Sequence, residues 1–198
     1  MQVLAALTRL RQSACDAALL GTEGSPSSSG KLDRLEQMLD SIINGGHRVL
    51  VFSQWTSLLD QVEPRLQEMG IKWLRLDGST RNRQALVDHF QSEEGPPIFL
   101  LSLKAGGTGL NLTAADHVVH LDPWWNPAAE QQASDRAHRI GQDKPVFVYK
   151  LLTEGTVEQK IAELQEKKRG LADALLAESG GMTSWSDEDI QDLFAPLG

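Results

Sequence analysis

Apolar residues recur at two spacings along this chain, and the alternation between them outlines a fold. Leu4, Leu7, Leu10 and Ala14 lie three or four apart, which predicts a helix over residues 3–20. Gly21–Gly30 (GTEGSPSSSG) breaks that pattern and has the composition of a flexible linker. Helical spacing resumes at Leu32, Leu35, Leu39 and Ile42 and stops at Gly45–Gly46. Short apolar runs at Val49–Phe52, Trp73–Leu76, Ile98–Leu103, Val118–Leu121 and Val146–Leu152 read as strands. Between them fall helices through Leu58, Leu59, Val62 and Leu66, over Thr80–Phe90, and over Ala128–Arg139. Strands buried on both faces and alternating with amphipathic helices predict an α/β three-layer sandwich around a mostly parallel sheet. Beyond it, Val157, Ile161, Leu164, Leu171 and Leu175 form a narrow seam on one long helix, Val157–Ala177. A short helix, Asp187–Phe194, follows the Gly180–Gly181 break, with Ser186 as its N-cap.

Composition changes this picture little. The apolar runs are too short to span a bilayer, so no membrane partner is expected. One cysteine, Cys15, excludes an intrachain disulfide and suits a reducing, cytoplasmic setting. The net charge of −8 argues against nucleic acid only superficially, because residues 171–198 carry six acids and no Lys or Arg. The rest of the chain is nearly neutral, and a phosphate backbone requires a local basic patch, not a basic total.

The chemistry concentrates in a few runs. Gln132–Gln142 (QASDRAHRIGQ) sets Arg136 and Arg139 three apart, which places them on one helix face. Two guanidinium forks aimed in one direction suit a polyphosphate. Ser102–Asn111 (SLKAGGTGLN) follows a strand with three glycines, either a structural bend or a loop whose amides approach a phosphate. Asp122–Pro127 (DPWWNP) pairs two tryptophans at a polar turn, as a buried hinge or as a blade for nucleic acid. Two apparent nucleotide signatures fail on inspection. Gly24–Leu32 has five residues between its glycines and Leu32 where a magnesium-binding Ser or Thr belongs. Val118–Asp122 is followed by Pro123 instead of a catalytic acid. No metal set is expected: His117 and His120 lie three apart in a strand and point to opposite faces.

These runs together resemble the SNF2 family of DNA-translocating ATPases. Gln132–Gln142 resembles motif VI, Ser102–Leu112 motif V, Val49–Trp55 motif IV and Leu74–Thr80 motif IVa, while Trp125–Pro127 matches the family's W-N-P. The resemblance implies a second RecA-like lobe, P-loop NTPase-like in fold, over residues 31–154. It implies an inter-lobe helix and linker over 1–30, and a brace helix with a short acidic helix over 155–198. It implies Arg136 and Arg139 as fingers on the γ-phosphate, and Gly109, Asn111, Gln132 and Asp135 at ATP. It assigns Ser53, Gln54, Arg75, Gly78, Ser102, Lys104, Gly106 and Trp125 to DNA, leaving Trp124 for the core. The cofactor implied is ATP with Mg2+, whose ligands belong to a first lobe absent from this chain. The implied partners are that lobe, double-stranded DNA, and RNA polymerase or other DNA-bound proteins. The GTVEQKI helix and acidic end resemble bacterial members, implying a cytoplasmic, nucleoid-associated protein. Two other classes stay open: an autonomous nucleotide-binding enzyme using Gly106–Gly109, and a protein-interaction module built on the long helix and acidic tail.

Overall fold

A computed structural model describes residues 2–21, 29–103, 110–138 and 142–176. Five strands, β1 (Val49–Ser53), β2 (Trp73–Leu76), β3 (Ile98–Ser102), β4 (His117–His120) and β5 (Phe147–Lys150), form one sheet. All pairings are parallel, in the order β2-β3-β1-β4-β5. Side chains of a strand alternate between faces, and the core divides accordingly. Val49, Val51, Ile98, Leu100 and Val119 pack under α2 (Gly30–Asn44) and α3 (Thr56–Glu68). Leu50, Phe52, Phe99, Leu101 and Val118 pack under α4 (Arg83–Gln91) and α5 (Pro127–Ser134). This is the expected three-layer, RecA-like sandwich. Because β1 neighbours both β3 and β4, the strand order reverses beside it, and open α/β sheets place ligands outside the carboxyl ends at such a point.

Four local expectations are corrected. The first helix, α1 (Gln2–Cys15), stops short of Leu20. The Asp16 carboxylate accepts from the Ala18 N–H and starts a separate 3-10 turn, Ala17–Leu20. Next, α4 begins at Arg83, not Thr80, because Asp77 captures the Ser79 N–H and hydroxyl in a local turn. The Asn82 side chain then caps the helix at the Ala85 N–H. Strand β5 is not buried on both faces: at the sheet edge, all four of its residues are exposed. Finally, α5 starts at Pro127, one residue before the expected Ala128, and ends at Ser134, five residues before Arg139.

Two further helices sit at the side of the sandwich. α6 runs Val157–Leu176, and its Val157, Ile161 and Leu164 are buried against Leu7 and Ala14 of α1. The upper half of the seam is therefore covered by the chain's own first helix. No helix among the described residues is long and apolar enough to cross a membrane.

Candidate functional site

The carboxyl ends of β1, β2, β3 and β4 carry Ser53, Gln54, Arg75, Gly78, Ser102 and Trp125 among the described candidate residues. Ser53 ends β1 fully buried, and its hydroxyl donates to Asp122 Oδ2 at 2.5 Å while accepting from the Trp55 N–H at 2.9 Å. The Gln54 N–H points to the same carboxylate, 3.3 Å from each oxygen. Ser53 thus joins the motif IV loop to the Asp122–Pro127 turn, and in this conformation its hydroxyl is not presented to a phosphate. Ser102 lies beside it in register and is also buried. Burial pushes the Asp122 carboxyl up to about 6, against the pull of the Ser53 and Gln54 hydrogen bonds. Enclosed in this way, the Asp122 carboxylate is taken up by Ser53 and Gln54.

The turn after Asp122 is gripped from several elements. Arg11 of α1 donates to the Pro123 carbonyl at 2.7 Å, and Gln54 Nε2 reaches the same oxygen at 3.4 Å. The Trp124 N–H donates to Glu130 Oε1 at 2.6 Å, and its carbonyl accepts from Gln165 of α6. Glu130 in turn pairs with Lys150. Trp125, expected to project, packs against the cluster of Leu7, Ala14, Val157, Ile161 and Leu164, with the Arg11 guanidinium 4.6 Å from its ring centroid. Stacking of Arg11 on an indole that also touches α6 is a tertiary product of three distant segments.

Beside this turn lies a second buried hub. Lys31 donates to the Leu121 carbonyl at 2.8 Å and to both oxygens of Glu158, at 2.6 and 2.5 Å. Glu158 also accepts from the Cys15 thiol at 3.1 Å and the Thr153 N–H at 2.9 Å. Lys31, the lysine of the rejected Gly24–Leu32 loop, is therefore committed to an ion pair inside the fold.

Arg136 falls just beyond α5, in a turn held by bonds from the Ala137 N–H to Ser134 O at 3.1 Å and from Arg136 N–H to Ala133 O at 3.4 Å. Its own carbonyl accepts from the Leu112 N–H at 3.0 Å, which draws it out of the helical ladder. This cross-link explains why the predicted helix stops early. The guanidinium is buried, 5.6 Å from the centroid of the Phe52 ring. Phe52 stacks on His120 at 5.5 Å, and His120 Nε2 meets the Ser134 hydroxyl at 3.0 Å. Burial pushes His120 down to about 4, so it is neutral near neutral pH.

The remaining candidates separate. Asn111, Gln132 and Asp135 are exposed, and Asp135 accepts from Gln131 at 2.9 Å. Gly78 is exposed in the loop after β2, and a methyl group there would meet nothing within 4 Å. Arg75 is turned inward: its donors reach Asp60 at 2.6 Å, Glu63 at 2.9 Å and Asp77 at 3.0 Å. To touch a phosphate it would have to leave three carboxylates. Lys104, Gly106, Gly109 and Arg139 lie outside the described residues. Arg11, Lys31, Glu130, Glu158 and Gln165 carried no local signal, since the Arg11–Pro123 contact alone spans 112 residues.

Asp122 and His120 give opposite pH signs. The folded Asp122 holds its proton up to about 6 against 3.8 ordinarily, so its contribution is full below 3.8 and lost as pH rises through 6. The folded His120 holds its proton only below about 4 against 6.5, so its contribution is full above 6.5 and lost as pH falls through 4. Over the shared window the two slopes oppose each other. Asp122→Asn removes one of them. Relative to wild type, the unfolding free energy of that variant, from urea titrations, should gain about 3 kcal/mol between acidic and neutral pH. Parallel curves for the two proteins would show that Asp122 does not carry the slope.

A sandwich around a parallel five-stranded sheet defines a RecA-like lobe. The model of the helicase conserved C-terminal domain matches residues 30–141. The chain belongs to that family, and its likeness is to SNF2-type members of it. It is 42% identical over 169 residues to Helicase swr1 of Schizosaccharomyces pombe, covering 83% of this chain and 13% of that protein. It is 40% identical over 200 residues to YwqA of Bacillus subtilis, named for an ATP-dependent helicase or translocase, covering 97% of this chain and 22% of that protein. The crystal structure of the C-terminal part of the Fun30 ATPase domain superposes with a TM-score of 0.66 at 45% identity, covering 69% of this chain and 45% of that one. The chain thus spans less than a quarter of the length of these curated relatives.

Proposed function

We propose that this chain is the C-terminal lobe of an ATP-dependent translocase on double-stranded DNA, of the bacterial SNF2 type. The observation that carries the reading is the seat of Arg136, buried on Phe52 toward the carboxyl end of β1. In this reading a first lobe binds ATP with Mg2+, and Arg136 and Arg139 approach the γ-phosphate when the cleft closes. Charge developing on the transferred phosphoryl group is then stabilised by preorganised guanidinium donors. Asn111, Gln132, Asp135 and Gly109 line the nucleotide side. Exposed Gly78 leaves its backbone open to a phosphate, and Gln54, Lys104 and Gly106 complete the DNA side.

Ser53 and Ser102 act from within by fixing the loops, and Trp125 by fixing the turn. Arg75 reaches DNA only by exchanging its carboxylate partners for phosphate. Residence on DNA in the cytoplasm, and obstacles such as RNA polymerase or other DNA-bound proteins, rest on the resemblance alone.

The test is ATP turnover with and without duplex DNA, for this chain alone and mixed with a first lobe. Turnover confined to the mixture and stimulated by DNA is the expected result. Turnover by the chain alone would overturn it and favour a nucleotide enzyme using Gly106–Gly109. Partner binding without any turnover in the mixture would favour an interaction module.

A further inference from the structure

The opposite edge of the sheet, where β1 and β4 begin, gathers three potential ligands that no part of the nucleotide reading uses. His47 leaves the Gly45–Gly46 turn just before β1, and Asp116 and His117 open β4. The Asp116 and His117 N–H groups both point to the Arg48 carbonyl at 3.2 Å, which locks the two strand starts together. The two imidazoles then close on one carboxylate. His47 Nδ1 lies 2.6 Å from Asp116 Oδ2, and His117 Nδ1 lies 2.8 Å from Asp116 Oδ1. One ligand atom from each of the three residues lies within 4.8 Å of the others.

The surroundings fit a first coordination shell. The His117 and Asp116 side chains are nearly buried, while 39% of the His47 side chain is exposed, so one side of the cluster is open to water. The His117 ring is held between the His47 ring, at 4.8 Å, and Phe147 and Tyr149 of β5, at 5.2 and 6.0 Å. Gly45 crowds His47 from behind, since a methyl group there would come within 2.9 Å of His47 Cδ2. Burial alone would push the Asp116 carboxyl up, but hydrogen bonds from His117 and His47 bring it below its ordinary value. A cation already approaches this position: Lys144 Nζ lies 3.7 Å from Asp116 Oδ2, on a side chain that is 65% exposed and free to swing away.

We propose that His47, Asp116 and His117 bind one divalent transition-metal ion of the zinc class, with water in the remaining position. Two imidazoles and a carboxylate are a donor set that zinc and cobalt accept in tetrahedral geometry. In the metal-free protein each Nδ1–H donates to an Asp116 oxygen, so binding moves the proton of each imidazole from Nδ1 to Nε2 and displaces the Lys144 ammonium. The ligands spread slightly from their present contacts, because atoms at 2.6 and 2.8 Å are closer than two ligands of one zinc ion. The ion cross-links the end of the α2 turn to the start of β4, far along the strands from Ser53 and Asp122. Its role is structural, and it stands or falls independently of the ATPase reading.

The experiment is a Co2+ titration of the full 198-residue chain, followed by visible absorption, with Zn2+ as competitor. We expect d–d bands that saturate at one equivalent and vanish on adding Zn2+, and a rise in the thermal midpoint with Zn2+. His47→Gln and His117→Gln should weaken Co2+ binding at least about tenfold. Lys144→Gln should tighten it by roughly fivefold through loss of a competing charge. His47→Gln keeps a polar, half-exposed side chain, and its metal-free melting curve checks that the protein remains folded. Absence of any visible band, or a titration unchanged by His47→Gln, would overturn the proposal and leave the three residues as a hydrogen-bonded lock.

Discussion

Arg136→Ala is expected to lower DNA-stimulated ATP turnover by about a thousandfold or more when the chain works with a first lobe, a loss typical of a missing arginine finger. The fall should appear in kcat with little change in KM for ATP, because the finger acts on charge that develops in the transition state. Arg136 also packs on Phe52, so a loss of structure must be separated from a loss of chemistry. Arg136→Lys separates them. It retains the aliphatic stem and the positive charge but not the planar fork, so it should fold normally and remain slow. Thermal melts of both variants beside the turnover assay decide the matter. Undiminished turnover in Arg136→Ala would remove the arginine from the mechanism.

The second large effect concerns stability. Glu158→Ala should cost about 3–5 kcal/mol, because it leaves the Lys31 ammonium buried without its counter-charge. It also strips the Thr153 N–H and the Cys15 thiol of their acceptor. For a domain of this size the melting midpoint should fall by roughly 10 °C. The paired replacement Lys31→Met with Glu158→Leu removes both charges and should recover most of that loss, since a buried ion pair is weakly stabilising against apolar residues of similar size. A drop as large in the double variant as in the single one would contradict this account. The same hub sits beside the α1–α6 cluster that holds Trp125, so the double variant is also a direct way to ask whether α6 needs the ion pair to stay docked.

Much of the fold was legible because it depends on local periodicity. Leu32, Leu35, Leu39 and Ile42 share one face of a helix in any setting, and Val49–Phe52 alternates between two layers in any parallel sheet. Pro127 at the first helical position and Asn126 as its cap act within a few residues, and the helix begins there. The motif order from Val49 to Gln142 is likewise a property of the chain alone, and it led to the helicase C-terminal family without geometry.

What the chain could not disclose depends on residues far apart in it. The helix through Arg136 stops at Ser134 because the Leu112 N–H takes the Arg136 carbonyl, a contact no helical propensity registers. Arg75 is electrostatically occupied because α3 brings Asp60 and Glu63 to it, and Trp125 is covered because α1 and α6 meet over it. Ser53 is inward because Asp122 lies across the strand ends. His47 and Asp116 lie 69 residues apart, yet parallel pairing of β1 with β4 closes them to 2.6 Å, so a cluster invisible to spacing, the proposed metal set, arises from register. Local sequence determines elements, because turns and periods are formed by near neighbours. Tertiary structure decides which charges are free and which are spoken for, because a buried polar group takes whatever partner the packing brings to it.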